Sequence, residues 1–376
     1  MFKFVKALEL RDLVTFVPNK KEPIHNWYYF KEGYSKQLVD ILLEKFQVKE
    51  NFTILDPFCG VGTTLLACKQ NNIKSIGFDV SPFFAFVAKT KTYDYDLENL
   101  KQSVKNFFSL KRERPKELPQ NKFIRNAFPK FNLEDTIFYR NKILEIEDEK
   151  IRDFLLLALI DSSLKTSWIF KDGAIVKIQR RSVMPLRKFF RVKVKNMIKD
   201  LKKIETPKVN TEIHLGDSRR LNLEDDSIDA VITSPPYLNK IEYTNVYKLE
   251  TSLFFDFPET TIRSHIGSRV EDIDTTELGL NPNLPLSAKA YFLDMNLALS
   301  EIHRVCKGGA KIAVIVGGGC FPEINVTIEV DSVLAQLANK IGFDIDEILV
   351  ARNSWCTRAR TIKIGQIRES IILMKK

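Results

Sequence analysis

Phe52 to Thr64 reads FTILDPFCGVGTT, and this stretch decides the fold. Phe52 to Leu55 is a short apolar run, the pattern of a strand covered on both faces. Asp56 to Gly62 then places a proline and two glycines in a tight turn. TTLLACKQNN follows with apolar residues at helical spacing, so a helix opens directly out of the glycine turn. SIGFDV (75–80) reads as a second strand and SPFFAFVAKTK (81–91) as a second helix. A strand–helix–strand unit of this length pairs its strands in parallel, which predicts a doubly wound α/β sheet.

A second α/β stretch begins at Glu212. EIHLGD, DAVITS and AKIAVIVGGG read as strands, and YFLDMNLALSEIHRVC before the last is an amphipathic helix with KGGA as a sharp turn. SVLAQLANKIG is a further helix. FDIDEILVA and ESIILMKK are the closing strands. Residues 93–210 between the two halves carry few strand signals, and helices are predicted near Asp153–Ser167 and Val192–Ile204. The expected organisation is a catalytic domain of 1–92 and 211–376 interrupted by a largely helical insertion, 93–210.

Composition narrows the classes. An apolar fraction of 44% and a charged fraction of 28% suit a folded globular chain and exclude wholesale disorder. Lys and Arg number 58 against 48 Asp and Glu, a surplus of 10 that favours a polyanionic partner. Cys59, Cys68, Cys306, Cys320 and Cys356 form no CxxC pair, and with four histidines they suggest neither a metal site nor a disulfide framework. The opening MFKFVKALELRD is too charged for a signal peptide, and no apolar run has membrane-spanning length. A reducing, cytoplasmic setting without membrane or metal is therefore expected.

Gly60 and Gly62 at a strand-to-helix turn let a ligand approach the backbone, and exposed helix N–H groups bind a carboxylate. Asp79 ends the next strand, 17 residues after Gly62, where a carboxylate meets ribose hydroxyls. Leu65 stands where a dinucleotide fingerprint has its third glycine, and no P-loop lysine follows. A nucleotide-like ligand without an obligatory phosphate fits this pattern.

The decisive chemistry lies in Thr233-Ser234-Pro235-Pro236-Tyr237, directly after a strand. Paired prolines fix φ, remove two N–H groups and aim the neighbouring carbonyls. The exocyclic amino group of a base is a poor nucleophile, because its lone pair is delocalised into the ring. Acceptors at Ser234 and the Pro235 carbonyl would hold both its N–H bonds, and Tyr237 would stack on a base taken out of the helix.

DPFCGVGTT together with TSPPY resembles the amino-methyltransferases of DNA, which make N4-methylcytosine and N6-methyladenine. The resemblance implies a class I methyltransferase sheet of seven strands, the last antiparallel, with S-adenosylmethionine as methyl donor. It places Asp56, Phe58, Gly60, Gly62 and Thr63 in the loop under the donor, Asp79 at the ribose and Asp217 near the adenine. Ser234, Pro235, Pro236 and Tyr237 match the catalytic tetrapeptide. YYFKEGYS (28–35), with Tyr34, resembles the motif that closes over the donor's methionine end. Serine before Pro-Pro implies cytosine N4, with adenine N6 as the alternative, and the family implies a restriction-modification system with a partner endonuclease. No PCQ-type cysteine suggests C5 methylation. The order, donor loop before catalytic motif, lacks the permutation common among serine-type members.

For duplex DNA, the basic stretch 171–203 is the first candidate, with Arg180, Arg181, Arg187, Lys188 and Arg191 as phosphate or base contacts. The second is Asn239–Leu286, which carries Arg263, His265, Arg269, Asn281 and Asn283. An RNA methyltransferase and a catalytically silent DNA-binding protein remain as alternative readings.

Overall fold

The computed structural model describes residues 2–172, 175–204, 207–238, 243–255, 266–267, 276–358 and 361–376. The chain enters through strand β1 (Phe4–Lys6) and helix α1 (Lys36–Phe46), capped by Ser35, whose hydroxyl accepts from Leu38 N. Then come β2 (Thr53–Asp56), α2 (Thr63–Gln70), β3 (Lys74–Asp79) and α3 (Pro82–Thr92). The insertion supplies α4 (Leu97–Ser109), α5 (Lys122–Ala127), α6 (Lys130–Leu144), α7 (Glu149–Lys165), the hairpin β4 (Ile169–Asp172) and β5 (Ile175–Ile178), and α8 (Leu186–Lys203). After it run β6 (Thr211–Leu215), β7 (Ile228–Thr233), α9 (Tyr243–Val246), α10 (Lys248–Phe254) and α11 (Leu286–Val305). The chain closes with β8 (Cys306–Gly317), β9 (Gly319–Phe321), β10 (Val326–Ile328), α12 (Val330–Ile341), β11 (Asp344–Arg358) and β12 (Ile362–Lys375).

One sheet of eight strands has the order β1-β11-β12-β8-β7-β2-β3-β6. The pairs β6/β3, β3/β2, β2/β7 and β7/β8 are parallel, while β12 runs antiparallel to both β8 and β11. This is the class I methyltransferase arrangement with its reversed last strand. The expected seven strands are all present, and the eighth is β1, which pairs with β11 through Phe4↔Ile348 to Lys6↔Val350. Three residues of mixed exposure carry no alternation long enough to read, so β1 was not predicted.

Side chains alternate across the central strands. Ile54, Ala230, Ile232, Ala313 and Ile315 meet Leu38, Leu42 and Ala67 of α1 and α2 on one face. Leu55, Val231, Ile312, Val314 and Val316 meet Phe292, Met295, Leu299 and Leu334 of α11 and α12 on the other. Both faces are thus covered, as the continuous apolar runs required. The helices of the insertion pack in one apolar cluster with Phe83, Phe84 and Val87 of α3 and Trp27 and Tyr28 of the N-terminal segment.

Three readings need correction. KGGA is the irregular start of β8, not a turn before it: pairing jumps from Ile228↔Cys306 to Ala230↔Lys311, and Gly309 absorbs the bulge at φ 88°. The helix predicted from Val192 starts at Leu186, because Leu186, Phe190, Val194 and Met197 form its buried stripe. Cys320 of β9 and Cys356 of β11, read as unpaired, form a disulfide with Cα atoms 5.5 Å apart. Their separation of 36 residues gives no local signal, and folding of β9 against β11 brings them together.

Candidate active site

Four strands of the parallel half deliver their carboxyl ends to one edge. β2 ends at Asp56, β3 at Asp79, β6 just before Gly216 and β7 at Thr233. Ligands of open α/β sheets bind at such an edge. A cleft of about 610 Å³ opens there, and Phe30, Glu32, Phe58, Gly60, Asp79 and Phe84 line it together with Ser218, Ser234 and Pro236. The glycine turn and the serine–proline motif therefore share one cavity.

The turn is built for close approach. Gly60 and Gly62 adopt φ of 48° and 77°, and a Cβ on Gly62 would lie 2.9 Å from the Ala88 Cβ. Gly62 opens α2 with no side-chain cap, so the first amides of the helix point toward the turn without a protein acceptor from the capping residue.

Asp79 braces this turn. Its Oδ2 accepts from Gly60 N at 3.0 Å and its Oδ1 from Ser81 N at 2.8 Å. Burial pushes its carboxyl up to about 7, opposed by those two amides. Each oxygen keeps a second lone pair, which suits ribose hydroxyl donors.

Asp56 lies beneath the cleft and outside its lining. Its Oδ1 accepts from Phe58 N at 3.2 Å and from Thr233 Oγ1 at 2.6 Å, so one carboxylate ties the donor loop to the start of the catalytic motif. Burial raises it to about 6. Tyr34 donates to Asp56 Oδ2 at 3.1 Å and lies 2.5 Å from Thr64 Oγ1. Burial and Asp56 push the Tyr34 hydroxyl up, keeping it a donor. Tyr34 thus supports the loop rather than walling the cleft, and Thr63 is buried outside the cleft's lining. From YYFKEGYS it is Phe30 and Glu32 that reach the cleft; Glu32 Oε2 accepts from Tyr247 OH at 2.5 Å.

Asp217 is engaged elsewhere. Arg219 Nη2 donates to its Oδ2 at 2.6 Å while Arg219 Nη1 reaches Asp294 at 2.6 Å, and Gly216 and Ser218 face the cleft in its place.

Ser234 donates its hydroxyl to the Ile315 carbonyl at 3.0 Å. Its proton is committed, so its oxygen faces a ligand as an acceptor. Pro235 is buried and Pro236 lines the cleft. Tyr237, half-buried, donates to Glu369 Oε1 at 2.7 Å, and Glu369 pairs with Arg352. Sequence reasoning missed Glu369, which lies 132 residues away on β12.

The family described as DNA methylase matches residues 14–90. A type II methyltransferase of Geobacillus stearothermophilus, M.BsoBI, is 27% identical over 97% of this chain and 88% of its own length. The type II methyltransferase M.AvaI of Nostoc sp. is 26% identical over 90% of this chain and 83% of its length. M.MjaII of Methanocaldococcus jannaschii, also a type II methyltransferase, is 32% identical over 36% of this chain and 27% of its length.

Residues 14–90 thus carry the match to the DNA methylase family, and over most of its length the chain is similar to type II methyltransferases.

Similarity to type II methyltransferases implies S-adenosylmethionine as the methyl donor. The cleft fits it: an uncapped helix start, a carboxylate with lone pairs to spare and aromatic walls at Phe30, Phe58 and Phe84 stand together. No group of three or more His, Cys, Asp or Glu able to hold a metal occurs among the described residues, and no described helix is long and apolar enough to cross a membrane.

The basic stretch of the insertion divides into two kinds of residue. Lys193 is an internal ion pair with Asp161 at 2.8 Å, and Arg191 donates to the Phe108 carbonyl and lies over its ring. Arg180, Arg181, Arg187 and Lys188 are exposed, as is Arg191. Arg180 lies over the Trp168 ring, and Arg181 lines a second, open groove of about 1000 Å³ with Tyr28, Tyr29, Lys165, Lys171 and Tyr247. Glu32 lines both cavities, so the groove and the cleft adjoin. Arg263, His265 and Arg269 lie outside the described residues. Asn281 and Asn283 are exposed, and Asn281 Oδ1 accepts from Asn283 N.

Proposed function

We propose that this amino-methyltransferase transfers a methyl group to N4 of cytosine in a specific word of duplex DNA, acting on a base extruded from the helix. The observation that carries the reading is Ser234, an acceptor whose own proton is used on Ile315, standing in the same cleft as Gly60 and Asp79.

S-adenosylmethionine supplies an electrophilic methyl on a sulfonium centre. The chain's own residues supply the rest. Asp79 and the amides at the start of α2 hold the donor, and Phe30, Phe58 and Phe84 exclude water around it. Ser234 Oγ and the Pro235 carbonyl accept the two N–H bonds of the target amine. That orients the nitrogen lone pair out of the base plane and toward the methyl; the N–C bond would form as the methyl–sulfur bond breaks to leave a neutral thioether, and the amine's extra proton would be released to water. Tyr237, anchored by Glu369, stands beside the motif as a stacking face for the extruded base. Serine in place of an acidic or amide side chain before Pro-Pro supports cytosine over adenine.

Arg181 would contact phosphates along the groove that adjoins the cleft, with Arg180, Arg187, Lys188, Arg191, Arg263 and Arg269 as further contacts, while the 93–210 insertion carries the grip. A modification enzyme of this kind protects sites from a partner endonuclease in the same cytoplasm.

The test is labelling with tritiated S-adenosylmethionine followed by nucleoside analysis. Duplex DNA is expected to take the label as N4-methylcytosine, and transfer and ribosomal RNA are expected to stay unlabelled. Label only in N6-methyladenine would transfer the proposal to the second base, and label only in RNA would overturn it.

A further inference from the structure

Beyond the catalytic edge of the sheet, β11 and β12 keep pairing with each other after β8 has ended. β12 leaves β8 at Glu369↔Gly317, while its pairing with β11 continues from Asn353↔Arg368 out to Arg358↔Ile362. Those six residues of β11, at about 3.4 Å each, carry a two-stranded ribbon about 20 Å past the sheet.

The root of this ribbon touches the catalytic motif, because Glu369 holds the Tyr237 hydroxyl and pairs with Arg352. One face is covered by the β9–β10 hairpin: Cys356 is bonded to Cys320, and a Cβ on Gly365 would lie 3.0 Å from Thr327 Cγ2. The opposite face is open. Trp355 is 47% exposed with Lys363 Nζ 4.6 Å from its ring centre, Asn353 and Gln366 are exposed on the same face, and Arg358 is exposed at the outer end of β11.

The charge is one-sided. Residues 348–368 contain Arg352, Arg358, Arg360, Lys363 and Arg368 and no Asp or Glu. Arg352 and Arg368 are held at the root by Glu369, Asp331 and Glu329, so the outer ribbon is cationic. An exposed hydrophobic ring, two cations and two amides on a narrow ribbon do not match a protein-facing apolar patch; they match a polyanion with hydrogen-bonding edges. A two-stranded ribbon enters the major groove, about 12 Å wide, and Asn, Gln, Arg and Lys read base edges there.

We infer that the outer β11–β12 ribbon lies in the major groove of the substrate duplex and reads part of the recognised word next to the extruded base. The inference rests on duplex DNA being the substrate. Arg358 and Lys363 would meet phosphates or guanine edges, and Asn353 and Gln366 adenine edges.

The recognised word is first obtained by methylation-aware sequencing of DNA treated with the unaltered protein, and a duplex carrying it is the probe. Duplex affinity from 50 to 200 mM salt and the methylation map are then compared for the unaltered protein, Trp355→Ala, and the Arg358→Ala/Lys363→Ala double variant. Affinity for S-adenosylmethionine and the thermal midpoint are the folding controls. The double variant is expected to bind the duplex at least tenfold more weakly, with a salt slope shallower by up to about two. Its map, and that of Trp355→Ala, should admit words differing from the original at one or two positions. Maps identical to the original in both variants, whatever the affinity, overturn the reading role. Absence of DNA methylation by the unaltered protein would instead strike the proposed function.

Discussion

Asp79 links protonation to donor binding, and the consequence can be worked out in advance. Burial raises its carboxyl to about 7, and only the ionised form offers acceptors on both oxygens while Gly60 N and Ser81 N are already bound. Protonation turns one oxygen into an O–H donor facing an N–H donor or a ribose hydroxyl. The apparent affinity therefore scales with the ionised fraction. With the carboxyl at about 7, that fraction is about nine-tenths at pH 8 and about one-tenth at pH 6, so donor binding should weaken about tenfold on acidification. The sign follows from which form binds: affinity is present above the midpoint and lost as pH falls through it. Asp79→Asn keeps the shape, cannot ionise and loses one charge-assisted acceptor, which costs about 1.5–3 kcal/mol, or about 10- to 100-fold in affinity. The assay is calorimetric titration with S-adenosylmethionine from pH 6 to 8 on both proteins. The ligand's own titration is common to the two and cancels in their ratio. A ratio that does not change across that range would refute the reasoning.

Ser234→Ala removes the amine acceptor while leaving donor contacts alone, so turnover on duplex DNA should fall by about 10²–10³ with donor affinity within twofold; normal turnover in steady-state assays would remove Ser234 from the chemistry. Tyr237→Phe keeps the ring and deletes the bond to Glu369, so it should retain most of the turnover that Tyr237→Ala loses, measured in the same assay. Gly62→Ala places a Cβ 2.9 Å from Ala88 in a left-handed backbone, and it should lower stability by about 1–3 kcal/mol in urea and weaken donor binding together. Asp56→Ala leaves Phe58 N, Thr233 Oγ1 and Tyr34 OH without their shared acceptor; a loss of about 2–5 kcal/mol on denaturant unfolding is expected, and an unchanged midpoint would show that the link between the two loops carries no stability.

The site's physical logic is a single edge with two kinds of support. Above it stand groups whose polar atoms face the cleft: Gly60, Asp79 and Ser234. Below it, Asp56, Tyr34 and Thr64 form a buried polar cluster that sets the distance between the donor loop and the prolines. Such a cluster is costly to bury and is fully used, which is why its members look like ligand residues in the sequence yet point inward. The same distinction separates Lys193, paired with Asp161 within the insertion, from its exposed neighbours Arg187 and Lys188.

Local chemistry alone determined the parallel half of the sheet, the glycine turn, Asp79 and the serine–proline motif. Each is written in contiguous residues: an apolar run, a φ that only glycine accepts readily, a proline pair that ends a strand. What only the tertiary structure decided is which polar atoms are left over for a ligand. Asp217 was claimed by Arg219, two residues on and itself held by the distant Asp294, Tyr34 by Asp56 and Tyr237 by Glu369, and the pairings of Arg219 with Asp294, of Tyr34 and of Tyr237 join segments whose proximity exists only after the sheet has closed. β1, the Cys320–Cys356 bond and the outward run of β11 and β12 were illegible for the same reason. Their stability comes from partners distant in sequence, and no local pattern records a long-range neighbour.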